Sequence, residues 1–179
     1  MLSLLSLSSC FRSILPPIEH PAGVHHLLTI PDIPMTLRVA IEQPTASVGH
    51  QFLLGILPVT RVYSPHIERE ISTYLAIEAA TRRYKLIHEA SGAVQPFPHL
   101  LVTVSELQIS GYDLVVLRRP VASVKLTALL DMLDRSPRRC EITANSSRIT
   151  QFAFSTELNQ VLQEALASGV HELFDCLLL

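Results

Sequence analysis

From about residue 156 to the end of the chain, apolar side chains recur one helical turn apart. Leu158, Val161, Leu162, Ala165, Leu166, Val170, Leu173, Phe174 and Leu177 follow the i, i+3, i+4, i+7 rule. That spacing specifies a long amphipathic helix, which cannot bury its apolar stripe alone. Gly169 is its weak point, since Gly costs about 1 kcal/mol relative to Ala in a helix. A second helix is expected over residues 65–83. Ser64 suits the N-cap and Pro65 the first helical position. Glu68 and Glu70 favour the positive end of the helix dipole, and Arg82, Arg83 and Lys85 favour its close. Ile67, Ile71, Tyr74, Leu75 and Ala79 share one face.

Most of the remaining chain alternates with period two. Met35, Leu37, Val39 and Ile41 define a half-buried strand that ends at Pro44 and the Gly49 region. Phe52 to Tyr63 reads as extended, interrupted at Pro58, and residues 84–87 as a short strand. Leu100, Val102 and Val104 begin another strand, with Ser110-Gly111 as a turn or bulge. Val124, Leu126, Ala128 and Leu130 form one strand face, and Cys140, Ile142 and Ala144 another. Turns are expected at 134–137 and 145–147. The fold class is therefore α+β: two amphipathic helices packed on one face of a mostly antiparallel sheet of four or five strands.

The 179 residues suit one domain, and only 17% are charged against about 25% in ordinary soluble domains. Yet no stretch of about 18 consecutive apolar residues offers a spanning helix. A net charge of −2 and the lack of a long basic run argue against nucleic acid as partner. The histidines lack metal spacing: His25 and His26 are adjacent, and Asp175 stands where a zinc-protease helix would need a second His after His171. No nucleophile elbow or phosphate-binding loop occurs. No enzyme and no cofactor is expected. Cys140 and Cys176 fall on apolar faces, as buried thiols do; in an exported chain they are also candidates for a disulfide.

The N-terminus carries the most specific pattern. Residues 1–9 are apolar and end in small residues, as secretory signals do, although they carry no basic start. Leu7-Ser8-Ser9-Cys10 resembles the lipobox of bacterial lipoproteins. The resemblance implies cleavage before Cys10 and acylation of its thiol, which anchors a chain without a spanning helix. Pro16, Pro17, Pro21, Pro31 and Pro34 then suit an extended tether, part of which packs along the domain. The organisation read is a signal-like segment at 1–9, a lipidated cysteine and tether at 10–34, and one α+β domain at 35–179.

The order of elements behind that cysteine resembles small envelope lipoproteins of the lipopolysaccharide-assembly and ABC-transport auxiliary groups. The resemblance implies a non-enzymatic accessory factor in lipid or lipopolysaccharide transport. Its partner would be a transport barrel or ABC-type complex, on the periplasmic side of the inner or outer membrane. Arg82, Arg83, Lys85, Arg118 and Arg119 are candidates for contact with anionic lipid or that partner. The alternative is a soluble ligand binder or enzyme whose His and Arg residues converge in the fold. The apolar 52–59 run and the terminal leucines stand out as candidate partner surface.

Overall fold

The structure is a computed structural model that describes residues 12–14, 33–42, 47–54, 56–88, 98–114, 117–132, 135–150 and 154–178. Cys10, the leader and most of the tether lie outside those residues, as do residues 91–97 of a loop the sequence predicts from Ser91-Gly92 to Pro98 and position 134 of the expected turn. The described elements are β1 (Arg12–Ile14), β2 (Ile33–Ile41), β3 (Ser47–Leu53), β4 (Leu57–Tyr63), α1 (Ile67–Thr81), β5 (Tyr84–His88), β6 (His99–Leu114), β7 (Leu117–Met132), β8 (Arg135–Ser147) and α2 (Phe154–Leu178).

Two helices and a sheet make the fold α+β, but the sheet is larger and more mixed than the alternation implied. Among the described residues it has eight strands. β6, β7 and β8 form an antiparallel meander. The other edge of β6 takes two strands end to end, both parallel to it. β2 pairs through Thr36–Ile41 with His99–Val104 of β6, and β3 pairs through Gly49–Leu53 with Ile109–Asp113. β5 runs parallel to β2, β4 antiparallel to β3, and β1 parallel to β4. Parallel partners enter because β2 and β3 lie far from β6 in sequence, where no hairpin dictates direction.

The helices sit where their apolar faces demand. Leu158, Val161, Leu162, Ala165, Leu166, Val170, Leu173, Phe174 and Leu177 are all buried. α2 lies across β7, β8 and part of β6, while α1 packs on β5, β2 and α2. Under α2, β7 buries Ala122, Val124, Leu126, Ala128 and Leu130 at strict period two. Truncating a buried leucine such as Leu166 to Ala costs about 2–5 kcal/mol. Gly169 has a positive use: a Cβ there would lie 3.0 Å from the Ala144 Cβ, so the helix backbone comes close to the sheet.

Several local expectations are corrected. Ser64 is not the α1 cap; His66 holds that position and makes no side-chain cap bond. Strand β4 includes Pro58, and the break in the 52–63 run falls instead at Leu54–Ile56. Gly49 does not end a strand. It lies within β3, where a Cβ would stand 1.6 Å from the Ile109 carbonyl oxygen, so only Gly permits the pairing. Ser110-Gly111 continues β6, whose bulge lies at Val104–Glu106 instead. Asn145-Ser-Ser147 completes β8 because β7 pairs with it throughout. Arg135–Pro137 likewise belong to β8.

Candidate functional site

Register brings four strands and one bridging residue abreast at one end of the sheet. Leu57 of β4 faces Leu53 of β3, Leu53 faces Asp113 of β6, Asp113 faces Arg118 of β7, and Arg118 bridges to Thr150. At about 4.8 Å per strand, that row is roughly 19 Å wide. The β3–β4 hairpin turns at this end. Ile56 N–H donates to the Leu53 carbonyl across the turn. Leu54 there has φ 54°, left-handed backbone that a branched aliphatic residue rarely occupies.

The side chains of this turn face water. Ile56 is 75% exposed, Leu57 53%, Leu54 52% and Leu53 43%. Pro58 is exposed beside them. Leu117 adds a further exposed aliphatic from the β6–β7 turn, and Ile149 another from beyond β8. Behind the tip, Phe52 stacks on Tyr112 with ring centroids 5.3 Å apart. Scattered surface leucines are ordinary, but several gathered at one end of a sheet make that end a candidate interaction site.

The basic candidates divide between the two ends of the sheet. Arg118 is at the apolar end, its Nε 3.4 Å from the Asp113 carboxylate. Arg119 is exposed beside it. Arg82, Arg83 and Lys85 lie at the far end, separated from the tip by the 16-residue length of β6, roughly 50 Å at about 3.3 Å per residue. Arg83 and Lys85 are exposed there. Arg82 is engaged in joining the helices. It bonds Glu78 at 2.9 Å and Asp175 at 2.5 Å, and its guanidinium lies 5.8 Å from the Phe174 ring centre. His171 Nδ1 stands 2.9 Å from the same Glu78 carboxylate. The hydrogen bond from Arg82 holds the Asp175 carboxyl below its usual range. His and Arg residues do converge, then, but as a surface clasp between α1 and α2.

The same far end carries a covalent link. Cys140 of β8 and Cys176 in the last turn of α2 form a disulfide. The expectation of two buried thiols gives way here: Cys140 is buried, while Cys176 is exposed. Arg138 Nη1 donates to the Leu177 carbonyl at 3.2 Å and so caps the helix end beside that link.

A third feature is an open groove of about 340 Å³ lined by Val48, Gly49, His50, Ser105, Glu106, Leu107 and Gln108. It lies where β2 has left the edge of β6 and β3 has not yet joined it. His50 and Glu106 are its titratable groups. Among the described residues no cluster of three or more His, Cys, Asp or Glu could hold a metal. No helix among them is long and apolar enough to cross a membrane.

No protein-family model and no curated protein matches the sequence. Solved structures do match its fold. An uncharacterized protein is 12% identical, with 90% of this chain and 95% of that one covered at a TM-score of 0.51. A Xanthomonas campestris protein of family DUF330 is 11% identical, with 92% and 94% covered, also at 0.51. The rare lipoprotein B of Shewanella oneidensis aligns over 78% of this chain and 91% of its own, at 11% identity and a TM-score of 0.44. At these identities, the two matches at 0.51 establish the shared architecture alone.

Proposed function

We propose that this chain is a lipid-anchored protein of the bacterial envelope, acylated at Cys10. In this reading it serves as an accessory factor in lipid or lipopolysaccharide transport by binding a protein partner. The observation that carries the reading is the Cys140–Cys176 disulfide. Disulfides persist in oxidising compartments and are rare in the cytosol. The link therefore supports export, independently of the lipobox-like Leu7-Ser8-Ser9-Cys10 that would direct it. The shared architecture with the DUF330 protein supports the same fold and leaves the role to be tested.

Radiolabelled palmitate should enter the wild type expressed from its own locus and not Cys10→Ser. Equal labelling of the two would remove the anchor from the reading. Affinity capture from detergent-solubilised envelopes should recover a transport or assembly protein; recovery of none would remove the accessory role.

A further inference from the structure

We infer that the β3–β4 hairpin tip is a second membrane contact, which inserts into the anionic bilayer that holds the Cys10 anchor. The inference rests on the lipid-anchor reading and adds an orientation to it. Leu53, Leu54, Ile56 and Leu57 supply the inserting surface.

Strand direction is the first support. β1 pairs in parallel with β4, Arg12 beside Arg61 and Ile14 beside Tyr63. β4 begins at Leu57, so the N-terminal end of β1 faces the tip. From Arg61 back to Leu57 is about 13 Å of strand. Two residue steps, at most about 7 Å of chain, take Arg12 back to Cys10. An anchor at Cys10 therefore lies within about 20 Å of the tip, whereas His99 at the far end of β6 lies about 36 Å of strand from the Ser110 that shares the row of Arg61, in the opposite direction.

The tip's own chemistry is the second support. Apolar groups of a peripheral protein bury about 5–10 Å into the headgroup boundary, and basic side chains beside them meet anionic headgroups. Arg61 and Arg119 are exposed on strands next to the tip. Asp113 is occupied by Arg118. Of the acids farther along, Glu157 accepts from Thr150 and Glu164 from Arg148. Leu54 holds left-handed backbone that Asn or Gly would adopt more readily, so the position keeps an apolar side chain against local preference.

Vesicle sedimentation tests this on the full chain carrying Cys10→Ser, where no acyl chain contributes. The vesicles are equal parts phosphatidylethanolamine and phosphatidylglycerol. The parent should bind. Ile56→Asp should weaken binding at least tenfold, and so should Leu54→Asn, whose melting temperature should equal or exceed the parent's. Replacing phosphatidylglycerol with phosphatidylcholine should also weaken it. Unchanged binding by both variants overturns the inference. So does a parent that ignores vesicles but forms a dimer that Ile56→Asp disperses, since a second copy then covers the tip. Palmitate labelling reads the anchor separately: acylation without tip binding sinks only this inference, and tip binding without acylation sinks only the anchor.

Discussion

Removing the Cys140–Cys176 link is the most informative perturbation of stability. The two cysteines are 36 residues apart in sequence. Closing a loop of that size in the unfolded chain corresponds to about 3.8 kcal/mol at 25 °C in the chain-entropy treatment. Native proteins are stable by only about 5–15 kcal/mol, so the loss is a large fraction of the total. The comparison uses Cys10→Ser protein, oxidised or reduced, and the same protein with Cys140→Ala and Cys176→Ser. Ala is chosen at 140 because that side is buried and a hydroxyl would lack partners. With a urea slope of about 2 kcal/mol per molar, the unfolding midpoint should fall by about 2 M on reduction or substitution. Thiol titration of the oxidised, denatured Cys10→Ser protein should find no free thiol. Two free thiols, or a midpoint shift under about 0.5 M, would refute the reasoning.

Gly49→Ala places a Cβ against the Ile109 carbonyl, so β3 has to leave β6, at a cost of about 3 kcal/mol or more; an unchanged melting temperature would refute the register. Gly169→Leu should push α2 off Ala144 and Leu126 and destabilise by about 1–3 kcal/mol, read by urea unfolding. Arg82→Ala should raise the Asp175 pKa in an NMR titration, since the Arg82 hydrogen bond is the main cause of its lowering. With the folded value below the ordinary one of 3.8, this pair stabilises above about that pH and ceases to as pH falls through the folded pKa. Arg82→Ala should therefore flatten that part of the acid-unfolding curve.

The helices were legible because their signal is periodic and long. The apolar stripe of α2, from Leu158 to Leu177, is the face that packs. β7 was legible for the same reason, with its alternation intact from Ala122 to Leu130. Strand partners were not legible. Nothing local to Val39 or Phe52 records that it will lie beside Val102 or Tyr112, because parallel pairing is settled by tertiary packing. Turn chemistry misled where pairing overrode it: Gly111 is held between Gln51 and Pro120 on either side, and Ser146 donates to Glu164 from within β8. The 52–59 run stood out as candidate surface in the sequence. Its placement at the same end of the sheet as Arg118 and Arg119, and opposite Arg82, depends on register and needed the fold.

The shared edge of β6 has a consequence for the order in which the chain assembles. Residues 99–178 pair each strand with its sequence neighbour and close a helix over the result, so their contacts form across short loops. β2 and β3 lack such neighbours on β6 and need that edge before they can dock. The first half of the chain therefore leaves the ribosome ahead of its own template. Pulse-labelled hydrogen exchange during refolding should protect β6, β7 and β8 before β2 and β3; the reverse order would refute this. A chain whose early strands must wait for their late template completes its sheet only after residues 99–114 have been made, and until then its first half has not closed into the packed fold that would resist passage through a narrow pore.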